Sequence, residues 1–123
     1  MSESGAVVLL STAGTRDEAE RLGEALVESG LAASCAVIPM IHTIYKSQGR
    51  LVREHEAMLL VKTSAENAES AQAHLLEHHS SEIPEVLRLD VDGGSPAYLK
   101  WLVERASANS ALKARTDVRR PID

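Results

Sequence analysis

The sequence predicts an α+β domain in which helices cover a single sheet. Three observations support this prediction: apolar or alternating segments typical of strands, capping residues followed by helical apolar spacing, and glycine or proline at the junctions. The length of 123 residues allows one domain with one substantial core. With 44% apolar and 25% charged residues, the composition is typical of a soluble globular protein.

The first strand and the first helix lie near the start of the chain. Ala6–Leu10 is a continuous apolar run typical of a strand buried on both faces. Thr15 and Glu18 have the spacing of a capping box, in which each side chain satisfies the other's backbone amide at a helix start. Gly30 is placed to end this helix in a left-handed conformation.

The middle of the chain predicts a long hairpin. Ser34–Tyr45 is rich in residues that favour strands, and Pro39 within it indicates an edge strand or a bulge. Lys46–Gly49 is the predicted turn and Leu51–Thr63 the return strand. The first half of the return strand is polar on both faces, so we expect the hairpin tip to project or to pair with another subunit.

A fourth strand lies between two further helices. Thr63 and Glu66 repeat the capping-box spacing and predict a second helix that ends near His78–His79. Alternation over Ile83–Val91 predicts the fourth strand. Ser95–Pro96 supplies an N-cap and a first helical proline, and so predicts the start of a third helix.

The order of these elements is that of a ferredoxin-like β-α-β-β-α-β sheet with an additional C-terminal helix. We expect one layer of helices on one face of the sheet, so the bare face needs another cover, which favours an oligomer. The predicted domain spans residues 1–106, and residues 107–123 form a tail that is expected either to fray or to dock as an arm.

Charge and composition exclude several classes of function. The formal net charge is −5, and only 2% of the residues are aromatic. Without the last eleven residues, sixteen acidic and nine basic residues give a charge of −7, which should repel nucleic acids and anionic lipid. Cys35 is the single cysteine, so the chain has no internal disulfide. No apolar run is close to the length of about 18 residues that a transmembrane helix needs. With no secretory pattern at its start, the chain is predicted to be cytoplasmic.

Histidines at the end of the second helix are the first candidate site. His74 and His78 are four residues apart and therefore share a helix face, and His79 and Glu82 follow. Such a group can hold a divalent cation, although helix geometry fixes only two of the ligands. The alternative is a set of solvated residues, with the histidines favoured near the helix C-terminus.

The second group of candidates lies on the sheet and the third helix. Glu54 and Glu56 share a strand face with Lys62, which suits either acid–base chemistry or a solvated ribbon. Tyr98 and Trp101 are three residues apart and either anchor the third helix or form a pocket wall.

Motifs of known enzymes are absent from the sequence. There is no G-x-S-x-G elbow, no P-loop and no G-x-G-x-x-G segment. Cys35 is interpreted either as a small buried hydrophobe or as a soft ligand for copper. We therefore expect no enzymatic activity.

Several segments, taken in order and near the expected spacing, resemble the CutA divalent-cation tolerance family. They span roughly residues 6–105 and comprise Leu31-Ala32-Ala33 leading to Ile38-Pro39, Thr43-Ile44-Tyr45, Gly49-Arg50, Glu54 and Glu56, Lys62-Thr63, His79 with Glu82, Pro84-Glu85, and Tyr98-Leu99 with Trp101. The resemblance implies a tight homotrimer similar in architecture to the PII signalling proteins, and a link to copper or other divalent metals. The alternative is a PII-like trimeric module for signalling or small-ligand binding without a metal role.

The sequence departs from the family pattern at three places. Lys46-Ser47 replaces an aromatic pair, and the histidine segment reads His79-Ser80-Ser81-Glu82. The family's cysteine position falls on Ser34, one residue before Cys35. A shift of one residue along a strand points a side chain to the opposite face, so these departures bear on the metal site and leave the fold prediction unchanged.

We expect any metal or small ligand to bind in a cleft between subunits, because a domain this small has little room for both a packed core and a large internal pocket. The predicted metal ligands are His78, His79 and Glu82. The other residues predicted to line the cleft are Glu56, Lys62, Tyr98 and Trp101. Imidazole must be neutral to bind a metal, so occupancy should fall below about pH 6.5.

Overall fold

The computed structural model of the protein describes residues 4–106. Its elements are β1 (Ala6–Ala13), α1 (Arg16–Glu28), β2 (Ser34–Ser47), β3 (Arg50–Ser64), α2 (Ala68–His78), β4 (Val86–Asp90) and α3 (Pro96–Arg105). The strands form one antiparallel sheet in the order β2-β3-β1-β4. This confirms the predicted α+β, ferredoxin-like arrangement. The predicted tail, residues 107–123, lies outside the described residues.

The main core lies between one face of the sheet and the helices α1 and α2. Side chains alternate along β1, and Val7 and Leu9 face this core. They pack with the apolar stripes of both helices, which are Ala19, Leu22, Leu26, Ala68, Ala71 and Leu75. The spacing of these residues is the amphipathic pattern on which the helix predictions rested.

The third helix packs on the opposite face of the sheet, which corrects the expectation of a single helix layer. Trp101 and Leu102 of α3 form a second cluster with Ala6 at the start of β1. Ala6 and Val7 are neighbours on a strand and therefore point to opposite faces. As a result, α3 covers one end of the face that the sequence predicted to be bare.

The rest of that second face carries apolar side chains that nothing covers within residues 4–106. We call it the open face, and it comprises Val8, Leu10, Ile38, Met58, Leu60, Leu87 and Leu89. Leu87 and Leu89 of β4 keep 55% and 48% of their surface exposed. Single exposed apolar residues are common on protein surfaces, but a contiguous set of this kind marks an interaction surface.

Both ends of α1 are capped by local sequence. The Thr15 hydroxyl accepts a hydrogen bond from the Glu18 backbone N–H at 3.1 Å, which is half of the predicted capping box. The Glu18 carboxylate accepts its hydrogen bonds from Ser80. At the other end, Gly30 has a φ of 81°, and the N–H of Leu31 donates to the Leu26 carbonyl at 3.0 Å. This is a Schellman motif, as the position of Gly30 predicts.

Beyond the end of β1, the strands β2 and β3 continue alone as a two-stranded ribbon, residues 41–47 and 50–56. Seven residue pairs, about 20 Å of strand, separate its base from the turn at Gln48 and Gly49. Pro39 lies in a register shift between Ile38 and Ile41, and β2 is an edge strand. The proline therefore lies both on an edge strand and at a bulge, the two positions that the sequence predicted as alternatives. The projecting hairpin tip is therefore confirmed.

The second capping box is wrong. Thr63 remains in β3, where its hydroxyl donates to the Leu31 carbonyl at 2.6 Å, and α2 begins only after Asn67. The fourth strand is also shorter than predicted, since it begins at Val86. Pro84 has no N–H with which to continue the pairing, and Ile83 is 92% exposed.

None of the helices within residues 4–106 has both the length and the apolar character required to span a membrane.

Candidate functional site

An open groove of about 550 Å³ lies between the ribbon, the end of β1 and the segment that joins α2 to β4. We call it the ribbon groove. Its polar lining includes Thr43, Tyr45, Glu54, Glu56, His79 and Glu85. Carboxylate and hydroxyl groups that converge on one groove suit a cation or a polar small molecule.

His79 is buried on the floor of this groove, and its side chain is only 2% exposed. The ring Nε2 donates to the backbone carbonyl of Thr12 at 2.6 Å, and the backbone N–H of Ser81 donates to Nδ1 at 3.0 Å. This pattern requires the neutral tautomer with the proton on Nε2. Both nitrogens of the predicted ligand are therefore occupied by hydrogen bonds within the chain.

Glu18 is the charged residue that accompanies His79. Its carboxylate accepts hydrogen bonds from the Ser80 backbone N–H at 2.8 Å and the Ser80 hydroxyl at 2.9 Å. Burial raises the pKa of Glu18, but the two hydrogen bonds from Ser80, together with the positive charge of the nearby Arg21, outweigh burial, so the pKa lies below its ordinary value. Glu18 therefore holds the start of α1 to the α2–β4 segment as a carboxylate.

His78 points away from this network. Its Nδ1 donates to the His74 carbonyl at 3.0 Å, and its ring stacks on that of His74 with centroids 4.1 Å apart. The shared helix face of the two histidines is as predicted. Burial and the nearby His78 lower the pKa of His74, so the His74 imidazole remains neutral over a wider pH range than free imidazole.

The ribbon carries a second histidine pair that sequence reasoning missed. His42 and His55 lie opposite each other, with their rings edge to face and centroids 4.5 Å apart. On the other face, the Tyr45 hydroxyl donates to a Glu54 carboxylate oxygen at 2.7 Å. The turn at Gln48 and Gly49 sets the register of the ribbon, in which the numbers of two paired residues sum to 97. Counting outward from the turn therefore places His42 opposite His55 from sequence alone.

Lys62, Tyr98 and Trp101 form a separate cluster beneath α3. The rings of Tyr98 and Trp101 stack with centroids 5.6 Å apart, and the Lys62 ammonium lies 6.0 Å from the Tyr98 ring. The Arg105 guanidinium lies 5.6 Å from the Trp101 ring. A cation near an aromatic face is attracted by the ring quadrupole, so this cluster fixes α3 against the sheet.

Cys35 faces the α1 side of the sheet, opposite Val61 of β3. Burial raises the pKa of the thiol to about 12, and Lys62 offsets only part of this effect. The thiol therefore stays protonated at neutral pH, which favours the interpretation as a small apolar residue.

The family model of the CutA1 divalent ion tolerance proteins matches residues 7–105 of the chain. This chain belongs to that family. It is 36% identical over 97 residues to the divalent-cation tolerance protein CutA of Pectobacterium atrosepticum, an alignment that covers 79% of this chain and 88% of the relative. It is 31% identical over 96 residues to the chloroplastic CutA of Arabidopsis thaliana, with 78% of this chain and 53% of that protein covered. The chain thus spans about half the length of the plant relative.

Solved CutA structures share the fold. The CutA of Synechococcus elongatus superposes with a TM-score of 0.79 at 34% identity, over 87% of this chain and 95% of the other. The CutA1 of Thermus thermophilus gives a TM-score of 0.77 at 32% identity, over 83% of this chain and 99% of the other. The names of the Pectobacterium and Thermus relatives describe divalent-cation tolerance and do not name a reaction.

In this CutA1 chain, the residues predicted to line a ligand cleft lie in two places. Glu56 lines the ribbon groove, whereas Lys62, Tyr98 and Trp101 lie at α3. Glu56 and Lys62 are six residues apart on β3, or about 20 Å along an extended strand. One CutA1 chain therefore does not bring them together, and a cleft that they share between subunits stays a prediction.

The predicted metal ligands of this CutA1 chain also diverge. His78 is exposed on α2, His79 points into the groove floor, and Glu82 is exposed between α2 and β4. Residues 4–106 contain no group of three or more His, Cys, Asp or Glu side chains that could hold a metal ion. A metal site that includes these residues needs ligands from a second chain or a rearrangement of His79.

Proposed function

We propose that the protein is a divalent-cation tolerance protein of the CutA type, which acts as a homotrimer and binds copper or a related divalent metal in clefts between subunits. Membership of the family supports the role in cation tolerance. The observation that supports assembly is the open face of the sheet, together with the ribbon that projects beyond it.

The open face suits a second copy of the same chain. Its apolar side chains come from all four strands, and α3 covers only one end of it. Desolvation of apolar surface is the main driving force for stable association. A closed symmetric assembly covers such a face on every subunit without leaving a free copy of it.

The ribbon also carries apolar side chains that a single chain does not cover. Met40 beside its base and Ile44 and Leu51 within it are 59%, 54% and 60% exposed. A two-stranded ribbon is marginally stable alone and gains stability when it packs on a partner. We infer that the ribbon of one subunit lies against its neighbour, which would place the ribbon groove at a subunit boundary.

His78 and Glu82 are the ligands that a cation can reach without rearrangement. Both are exposed, and Nε2 of His78 is not used in its hydrogen bond to His74. His79 would have to release either Thr12 or Ser81 in order to bind a metal. The proposal therefore places the metal near the end of α2, with further ligands from a neighbouring subunit.

Sedimentation velocity tests the assembly. A homotrimer of a 13.3 kDa chain has a mass of about 40 kDa. A species of 13.3 kDa that does not change with concentration would contradict the proposal.

Calorimetric titration with Cu(II), Zn(II) and ATP on one preparation tests the ligand. We expect Cu(II) binding, weakened by roughly tenfold or more in His78→Ala and Glu82→Gln, since each removes one ligand. Glu69→Gln, an exposed acidic residue in the first turn of α2, is the matched control and should bind as the wild type does. If His78→Ala and Glu82→Gln both bind Cu(II) with wild-type affinity, the metal does not bind at this site. If only Cys35→Ser loses Cu(II) affinity, the thiol is the ligand instead.

One observation favours the alternative function, a PII-like module that binds a small molecule and has no metal role. Both nitrogens of His79 are engaged, and the ribbon groove of about 550 Å³ is large enough for a small polar molecule. Binding of ATP with no heat from Cu(II) or Zn(II) in the same titration series would favour this alternative.

A cytoplasmic location and the lack of an enzymatic activity are parts of the same proposal. One relative is named as chloroplastic and one solved relative, from Archaeoglobus fulgidus, as periplasmic, so location differs among the relatives. Fractionation of cells that express the tagged full chain tests the location, and recovery outside the cytoplasm would contradict it.

A further inference from the structure

A second groove, on the other side of α1, has no role in the proposed function. It encloses about 540 Å³ between α1 and the edge strand β2, and we call it the α1–β2 groove. Its apolar floor is formed by Val27, Cys35 and Val37. Val27 keeps 40% of its surface exposed, which is high for a valine on a helix that packs on a sheet.

Three carboxylates form one rim of this groove. Glu20, Glu24 and Glu28 are spaced four residues apart and therefore lie in one row along α1. Each is exposed, and Arg16 lies 3.8 Å from Glu20 at the start of the row. An apolar floor with an acidic rim is complementary to a segment that carries both basic and apolar side chains.

Such a segment follows the last described residue. Residues 107–123 carry Lys113, Arg115, Arg119 and Arg120 against Asp117 and Asp123, a net charge of +2 on a chain whose remainder is acidic. The same segment contains the apolar residues Leu112, Val118 and Ile122.

The point at which this segment leaves the domain is next to the groove. The side-chain amide of Asn67 donates to the carbonyl of Ala106 at 2.8 Å and to the carbonyl of Gly30 at 3.3 Å. The hydroxyl of Ser64 also donates to the Ala106 carbonyl. Gly30 directly follows the end of α1, so the segment starts at the Glu28 end of the acidic row.

The dimensions agree with this placement. Lys113 is seven residues beyond Ala106 and can reach about 23 Å from it. The row from Glu28 to Glu20 is eight residues of helix, or about 12 Å. The basic residues can therefore lie along the whole rim without moving α3.

We propose that residues 107–123 of the same chain bind in the α1–β2 groove, with their basic side chains at the acidic rim and their apolar side chains on the floor. The tail then covers Cys35 and one side of α1. This surface lies apart from the ribbon groove, so the inference does not depend on the metal or on the ligand of the proposed function.

Paramagnetic relaxation in the assembled full chain tests this proposal. A nitroxide is attached at position 114 in the variant Cys35→Ala/Ala114→Cys, so that it lies between Lys113 and Arg115. We expect the amide signals of Gly23, Glu24 and Val27 to lose at least about half of their intensity. The signals of β4 should lose much less, since broadening falls steeply with distance and β4 is the opposite edge strand of the sheet. No selective loss on α1 would overturn the proposal.

Charge variants decide whether the rim holds the tail. Glu20→Gln/Glu24→Gln/Glu28→Gln should abolish the selective broadening, because it removes the complementary charge. Glu69→Gln/Glu77→Gln/Asp92→Asn makes the same change in net charge elsewhere and should retain it. Equal broadening in the two triple variants would overturn the role of the rim. Broadening seen only when labelled and isotope-enriched chains are mixed would overturn binding within the same chain.

A second measurement uses the native cysteine and does not require the labelled variant. Alkylation of Cys35 by iodoacetamide is compared between the full wild-type chain and the full chain with Glu20→Gln/Glu24→Gln/Glu28→Gln. We expect the rate to rise at least threefold in the variant, since the tail then no longer covers the floor of the groove. Equal rates would contradict the proposal.

Discussion

The imidazole of His79 donates to the backbone carbonyl of Thr12 at 2.6 Å, although the two residues are 67 positions apart in the chain. Thr12 lies near the end of β1, and His79 caps the end of α2. The bond therefore joins two walls of the ribbon groove. Because the ring also accepts from Ser81, its neutral form is part of the structure.

Replacement of His79 by alanine should destabilise the fold. His79→Ala leaves the Thr12 carbonyl and the Ser81 N–H without their partner, which costs about 1–3 kcal/mol in the free energy of unfolding. Urea denaturation at one fixed protein concentration measures this difference. His78→Ala is the control, and as an exposed substitution it should change the free energy by less than about 0.5 kcal/mol. Equal effects in the two variants would show that His79 is not structural.

Glu18 should make the stability depend on pH. Its pKa is lower in the folded protein than in the unfolded chain, so its contribution is present above the unfolded value of about 4.3 and is lost as the pH falls through the folded value. We expect Glu18→Gln to be less stable than the wild type at pH 7 by about 1–2 kcal/mol, with the gap closing in acid. Urea denaturation at a series of pH values tests this, with Glu77→Gln, an exposed residue of α2, as control. A gap that is constant with pH would contradict the assignment.

Gly30 should be costly to replace because its φ of 81° lies in the left-handed region. We expect Gly30→Ala to lower the free energy of unfolding by about 1–2 kcal/mol. Gly14→Ala is the matched control, since a β-carbon there meets no atom within 4 Å. Thermal unfolding of both variants measures the difference, and a Gly30→Ala protein as stable as Gly14→Ala would refute the Schellman assignment.

Tyr45 should titrate above the usual range for tyrosine. The hydrogen bond from its hydroxyl to Glu54, together with the negative charge of that carboxylate, raises the pKa of Tyr45. Ultraviolet titration of the phenolate should show this as a high-pH transition that is absent in Tyr45→Phe and shifted to lower pH in Glu54→Gln. Identical transitions in the wild type and Glu54→Gln would mean that the bond does not form in solution.

The proposed trimer should depend on the open face. Leu89→Asp places a charge among apolar side chains and should shift the assembly from about 40 kDa toward the 13.3 kDa chain in sedimentation velocity. Leu76→Asp introduces the same charge at an apolar residue of α2 that is 46% exposed and lies outside this face, and it should leave the mass unchanged. An unaltered mass in Leu89→Asp would place the interface elsewhere.

The order of elements was predictable because it depends on local patterns. The apolar run at Ala6–Leu10, the glycine at position 30 and the Ser95–Pro96 start of α3 each lie where the structure has the corresponding feature. The start of α2 was not predictable in this way. Thr63 has a capping-box partner in sequence, but its pairing with Val7 and its bond to Leu31 keep it in β3. Tertiary contacts overrode the local signal.

The site was less predictable than the fold, because its contacts join distant parts of the chain. Sequence shows that His79 is present but not that Thr12 and Ser81 occupy its two nitrogens. The placement of α3 on the second face of the sheet depends on packing between Trp101 and Ala6 and has no local signature. The pair His42 and His55 was accessible in principle, since the turn sets the register of the ribbon.

The inner position of β1 has a consequence for synthesis of the chain. Its two neighbours in the sheet, β3 and β4, end at Ser64 and Asp90, whereas β1 itself is complete at Ala13. At a translation rate of about 5–20 residues per second, roughly 3–10 s pass before the last residue of β3 is added. During that interval the apolar strand β1 has both edges unpaired, so the nascent chain is most exposed to aggregation before β3 is complete.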